Sequence, residues 1–333
     1  MGKQNQNKEQ AAAFKTSGVL KALLQKPELG TVLPMAILML AVAIVNISFF
    51  NLTNILDILR TASFSFIVAV PITFLMSSGG MDLSIGATTS FGGIICAFAL
   101  KAGICVPAAV LLALAAGCIV GFLNGIIIVK YSLPAFIATL GMQYVVNGII
   151  AITTEALAIS GFGGGFKALS QTKVAGVIPM PIIYAILIGI VGHIVLSRTK
   201  FGRSVLAIGG NRETAYLAGI NVQAKQIMVY AAVGLFSALS GVLIASRFAT
   251  AQPAAGTGTE LTIMASVIIG GTSMFGGQGT IIGSALGCVL FATIQNALIV
   301  MGISTFWQNL IFGIILLVAI FIDKYRRKTG GEE

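Results

Sequence analysis

Ten stretches of this chain are apolar and nearly uncharged, several of them close to the roughly 20 residues that a helix needs to cross a bilayer. They lie at 31–50, 61–78, 85–103, 106–129, 135–156, 179–197, 226–246, 261–275, 280–301 and 305–322. A bilayer interior offers backbone N–H and C=O groups no partner, so only helices and closed barrels span it. Barrel strands alternate apolar and polar residues; these runs are continuous. The expected fold is therefore all-α: a polytopic membrane protein of about ten transmembrane helices. Composition agrees, with 57% hydrophobic and 9% charged residues and a mean hydropathy of +0.99, against about a quarter charged in soluble domains. The third, eighth and ninth stretches are rich in Gly, Ser and Thr, which suits helices packed on other helices. The eighth is also short.

The charge pattern sets the expected orientation. The net charge of +10 could signal nucleic acid in a soluble protein. In a membrane protein, Lys and Arg collect in cytoplasmic loops, and no nucleic-acid partner is expected. With the N-terminus inside, the inside set is Lys3, Lys8, Lys15, Lys21, Lys26, Lys130, Arg198, Lys200, Arg203, Arg212, Lys225, Lys324, Arg326, Arg327 and Lys328. The outside set is only Arg60, Lys101, Lys167, Lys173 and Arg247. Both termini and the loop 198–225 are thus expected in the cytoplasm, and the loop 157–178 outside. Residues 1–29 form a cytoplasmic segment. They lack a signal-peptide pattern, and Phe14, Val19, Leu20, Leu23 and Leu24 recur near helical spacing, as in a helix lying on the membrane surface. Residues 30–323 form the transmembrane domain, and 324–333 a cytoplasmic tail.

"MSSGGMDLSIG" at 76–86 places Asp82 between two apolar runs. A carboxylate just before a helix start can accept from free backbone N–H groups, and the Gly pair permits a sharp turn. A helix cap is one reading, a gate in a transport pathway the other. "GGMDLSIG" at 79–86 is echoed by "GGQGTIIG" at 276–283, a weak sign of internal duplication. Gly117, Gly121 and Gly125 share one helical face, as do Gly283 and Gly287. Such faces allow close helix approach, either fixed or moving.

Polar residues inside apolar segments face a bundle interior or a water-filled path more often than lipid. Asp82, Asn124, Gln143, Asn147, Gln252, Glu260, Gln295 and Asn296 are the candidate pathway residues. Gln143 and Asn147 are four apart and share a helical face; they either line a path or bond to a neighbouring helix. His193 is the only His, with no acidic residue near it in sequence. Cys96, Cys105, Cys118 and Cys288 have no CxxC spacing and read as packing residues. No metal site is expected. "GFGGGFKA" at 161–168 lacks the G-K-[ST] of a phosphate loop, and no nucleotide-binding motif occurs elsewhere. If ATP drives this protein, another chain binds it.

The loop 198–225 carries "NRETAYLAGI", read as a short exposed helix at 211–220 with Asn211 as N-cap and Gly219 as stop. Ala215 and Gly219, small and four apart, are expected on one flat outward face. A loop of this length in a compact protein usually has a function, and contact with a cytoplasmic partner is the natural one.

"SSGGMDLSIG" (77–86), "LPAFIATLG" (133–141), "FGRSVLAIGGNRETAYLAGINV" (201–222), "AQPAAGTGTEL" (251–261) and "VIIGGTSMFGGQGTIIGSALG" (267–287) together resemble the ribose-type permeases of bacterial ABC importers for simple sugars. The likeness runs in the family's order over about residues 30–325 and is greatest to ribose permeases at "AQPAAGTGTEL". Two departures stand out. Thr262 and Ile263 follow Glu260-Leu261 where the family usually has Asp-Ala, and Met81 precedes Asp82 where Ile is usual.

The resemblance implies a transport subunit in the bacterial cytoplasmic (inner) membrane, not an enzyme and without a cofactor of its own. ATP and Mg would sit in a partner ATPase, a solute-binding protein would deliver the sugar from outside, and two permease copies, most simply a homodimer, would form the pore. It also implies that Gly209, Gly210, Asn211, Arg212, Glu213, Ala215, Gly219 and Ile220 belong to the helix that couples to the ATPase. The competing class is an ion-coupled secondary transporter, for which buried acids near the midplane are expected. Asp82, Glu155 and Glu260 instead fall near the ends of the apolar stretches.

Overall fold

The computed structural model describes residues 47–304 and the helical positions 307, 310, 311, 313, 314 and 317. The stretch 31–46, most of 305–322, the surface helix expected within 1–29 and the tail 324–333 lie outside the described residues.

The longest helix forms the axis. We number the helices α1 Leu52–Ser77, α2 Ile85–Lys101, α3 Val106–Lys130, α4 Ala135–Thr154, α5 Gly164–Gln171, α6 Met180–Arg198, α7 Lys200–Gly210, α8 Arg212–Leu217, α9 Val222–Phe248, α10 Thr259–Ile269 and α11 Ile281–Val300. Among the described residues, six of these, α1, α3, α4, α6, α9 and α11, are long and apolar enough to cross a membrane. The protein is a multi-pass membrane protein. α9 lies against α1, α2 and α3, and its contacts with α2 and α3 are made backbone to backbone. A Cβ at Gly121 would run into the Tyr230 carbonyl, and one at Gly234 into that of Gly117. The Gly117/Gly121/Gly125 face is thus a packing surface for α9, where side chains as small as Ala do not fit without a shift.

Two boundaries differ from the sequence reading. α1 starts at Leu52 rather than at 61, capped by Asn51, whose side chain accepts from the Thr53 N–H. Asp57 and Arg60 interrupt the apolar run without interrupting the helix, because both stand at its polar end beside Arg247. The eighth predicted span, 261–275, is corrected to a half-length helix. α10 has 11 residues, about 16 Å at 1.5 Å per residue, roughly half of a 30 Å hydrocarbon core. Gly270 and Gly271 end it, Gly271 at φ +94°.

The two ends of the bundle carry different chemistry. At one end α5 is pinned to α9: Ser170 Oγ donates to the Leu243 carbonyl (2.7 Å), and Ser246 Oγ to that of Phe166 (2.7 Å). Arg60 donates to the Ser170 carbonyl (3.0 Å) and Arg247 to Thr61 Oγ1 (3.2 Å). β1 (Ile159–Ser160) pairs antiparallel with β4 (Thr250–Ala251), and β2 (Lys173–Val174) with β3 (Ile178–Pro179). The residues assigned to the outside thus gather at one end. The loop 198–225, assigned to the inside, packs at the other.

Candidate functional site

The chain breaks between α1 and α2 and again between α10 and α11, and the two breaks meet. Gly79, at φ +77°, reverses the chain after α1. The Gly277 N–H donates to the Ser77 carbonyl (2.9 Å). The echoed segments 79–86 and 276–283 are therefore spatial neighbours, with Phe275 of the second break facing Gly79 of the first. Gly209 of α7 is wedged between Ser77 and Gly277, leaving no room for a Cβ. It packs inside the protein, unlike Gly210, Asn211, Arg212, Glu213 and Gly219 of the candidate coupling set, which are exposed.

Asp82 is buried in the first break. Its Oδ1 accepts from both the backbone N–H and the hydroxyl of Ser84, each at 2.7 Å. Asn124 Nδ2 donates to Asp82 Oδ2 (3.2 Å) and to Ser84 Oγ (2.8 Å). The geometry is that of a side chain stabilising the turn into α2, close to the cap expected, with Ser84 as the N-cap residue. Thr139 and Tyr230 complete the turn. Thr139 Oγ1 accepts from the Leu83 N–H (3.1 Å), and the Tyr230 hydroxyl donates to the Met81 carbonyl (3.1 Å). Neither residue was singled out from sequence, since a Thr or Tyr within an apolar run gives no sign of a bond to a distant turn.

The remaining pathway candidates separate by environment. Asn124 is fully buried and held at the Asp82 turn. Asn296 is exchanged with Asn54: each Nδ2 donates to the other's Oδ1, at 2.8 and 3.0 Å. These two amides tie helices together. Gln143 Nε2 donates to Glu260 Oε1 (3.3 Å). Glu260 lies in the first turn of α10 and is nine-tenths buried against Gly86 and Gly256, and its Oε2 has no hydrogen-bond partner among the described residues. Asn147 and Gln252 are exposed, and Gln295 is half-buried. The structure thus brings Gln143 to Glu260 and leaves Asn147 on the open flank of α4. Tyr144, Val145 and Ile152 are exposed on the same helix.

At the opposite end of α7 from the membrane helix α6, α8 forms the short helix expected. Asn211 Oδ1 accepts from the Thr214 N–H (2.9 Å), and Gly219 at φ +79° ends the turn. One expectation is corrected. Ala215 does not share an outward face with Gly219. It is 3% exposed and packs with Ile208, Ile220 and Val222 in a small apolar cluster. Burying that face leaves Tyr216 (71% exposed) and Leu217 (77% exposed) on the outside. They border an open concavity of about 990 Å³, lined also by Arg212, Glu213, Gly219 and Gln223. Gly210, Asn211, Arg212 and Glu213 are exposed beside them. Nothing in the sequence marks Tyr216 and Leu217, because apolar residues in a short helix suggest packing, not presentation.

Comparison with known proteins gives a consistent picture. Residues 54–320 match the family described as "Branched-chain amino acid transport system / permease component". The chain is 36% identical over 299 residues to a ribose import permease protein of Bacillus subtilis (strain 168), covering 89% of this chain and 92% of the relative. It is 35% identical over 293 residues to that of Haemophilus influenzae, covering 87% and 90%. An L-arabinose ABC transporter permease protein of Azospirillum brasilense is 33% identical over 302 residues, covering 90% and 88%. No solved structure matches the chain.

Proposed function

The chain belongs to the family of branched-chain amino acid transport system / permease components, and from that membership we propose that it is the membrane subunit of an ABC importer for a monosaccharide, ribose or a close relative. Relatives named for ribose and L-arabinose import support a simple sugar. In this reading the sugar arrives from a solute-binding protein on the side of the Arg60–Arg247 end. ATP with Mg is bound by a separate ATPase at the end bearing α7 and α8. The chain lies in the bacterial cytoplasmic membrane with both termini inside.

The observation that carries the reading is α8. A capped helix presents Tyr216 and Leu217 to the surface beside a wide concavity, in a chain with no nucleotide-binding motif. Exposed apolar side chains at an aqueous end fit a contact with another protein. Such a contact would pass movement to α6 and α9, which flank the loop, and to the two chain breaks through Gly209.

The sugar path is assigned to Gln143, Asn147, Gln252, Glu260 and Gln295, sparse polar groups of the kind that orient a ligand. Asn147 lies on the exposed flank of α4, so the path would be completed by a second copy of the chain, giving a homodimer. Copurification from native membranes tests the assembly. An ATPase and a solute-binding protein should come down with the chain, and the Tyr216→Asp/Leu217→Asp double variant should lose the ATPase while still inserting. An equally stable complex with that variant would remove α8 from the contact.

A further inference from the structure

A second surface lies on the flank of the bundle. Between α1, α6 and α9 opens an apolar groove of about 420 Å³, lined by Phe74, Leu187, Val191, Phe201, Met228 and Phe236 among others. Leu187, Val191 and Met228 are more than half exposed along it. At one end the groove is closed by the Phe201 ring, which leans on Phe74 with centroids 6.2 Å apart. The Lys225 ammonium stands over that ring, 4.8 Å from its centroid. Lys225 is half-buried, and its charge stands beside Phe201 at that end of the groove. Arg198, Lys200 and Arg203 are exposed where α6 passes into α7 at this end. Between Glu155 and Glu260 the sequence has a single acidic residue, Glu213. The only ion pair among the described residues, Arg247 with Asp57 at 4.0 Å, is at the other end of the bundle.

We propose that this groove holds one acyl chain of an anionic phospholipid, with the phosphate against Lys225 and the Arg198–Arg203 turn. The apolar part matches a hydrocarbon chain in chemistry, its lining being almost wholly apolar. The basic part lies where a headgroup would, and basic residues at a membrane surface favour anionic lipid. Phe49 packs on Ile58 and Ala62, on the face of α1 opposite Val70, Pro71 and Phe74, so the described residues before α1 leave the groove open. A lipid here would brace α7, which carries Phe201, against α1.

The test uses the full chain with its single Trp moved: Trp307→Phe combined with Met228→Trp, and separately with Val191→Trp in case one position disturbs folding. The protein is reconstituted in bilayers containing brominated phosphatidylglycerol or brominated phosphatidylcholine, and tryptophan quenching gives their relative affinity at the groove. Phosphatidylglycerol should be preferred about fivefold, corresponding to about 1 kcal/mol. The preference should fall toward one with Lys225→Gln and at high salt. Equal quenching by both lipids, a preference untouched by Lys225→Gln, or no quenching by either, as when protein covers the groove, would overturn the proposal.

Discussion

Asn124 on α3 bridges the turn that launches α2: its Nδ2 lies 3.2 Å from Asp82 Oδ2 and 2.8 Å from Ser84 Oγ. Asn124 Oδ1 is buried and has no partner among the described residues. An amide at position 82 can therefore bond to Asn124 after rotation, while keeping an acceptor for Ser84. We expect Asp82→Asn to fold and transport close to the parent protein. Asp82→Ala strands the Ser84 N–H and leaves the Asn124 amide only Ser84 Oγ, and should cost about 1–3 kcal/mol. Thermal denaturation in detergent, together with uptake, separates the two. If Asp82→Asn is stable but inactive, the carboxylate acts in transport.

The Asn54–Asn296 pair should behave as a helix tie. Asn296→Ala is expected to lower stability by about 0.6 kcal/mol, the typical value for a polar pair between membrane helices, and by no more than about 1.7. The Km for sugar should not change. A double-mutant cycle with Asn54→Ala should return a coupling of that size. A raised Km in Asn296→Ala alone would place it on the sugar path instead.

Much of the fold is legible in the sequence, because lipid imposes a length and backbone hydrogen bonding imposes the helix. The start and stop of α8 are legible too, since Asn211 and Gly219 act locally. Which face of each helix is buried is mostly not, the Gly117/Gly121/Gly125 face of α3 being an exception. In a membrane both the lipid side and the protein side are apolar, so the periodicity that reveals an amphipathic helix in water is missing. Asn147 and Asn296 look alike in sequence, yet Asn147 is exposed and Asn296 is bonded across 242 positions of chain. Ala215 misled for a related reason. In a helix of 6 residues, the neighbours Ile208 and Val222, outside the helix, decide which side turns inward.

Orientation is tested by labelling. In a variant lacking Cys105, which is exposed, a cysteine at Val174 should react with a membrane-impermeant maleimide added to intact cells. A cysteine at Thr214 should react only after permeabilisation. Both positions are exposed, so lack of access cannot come from burial within the chain. The opposite pattern would invert the topology.

Removal of the α8 side chains should separate binding from coupling. Tyr216→Ala alone is expected to reduce the stimulation of ATP hydrolysis by sugar-loaded binding protein at least tenfold, with the basal hydrolysis of the ATPase unchanged. Truncating a well-packed aromatic at an interface commonly costs 2 kcal/mol or more, and about 1.4 kcal/mol is already a tenfold effect. Unchanged stimulation would leave Tyr216 outside the interface.

The central claim, that movement of sugar through this chain is driven by ATP hydrolysed on a partner, is tested most directly in proteoliposomes. The permease and its copurified ATPase are reconstituted together, ATP is supplied on the ATPase side, and labelled ribose uptake is measured with its binding protein present. Uptake should require ATP and persist when ionophores collapse all proton and sodium gradients. Uptake that proceeds without ATP and stops when those gradients are removed would contradict the account and identify an ion-coupled transporter.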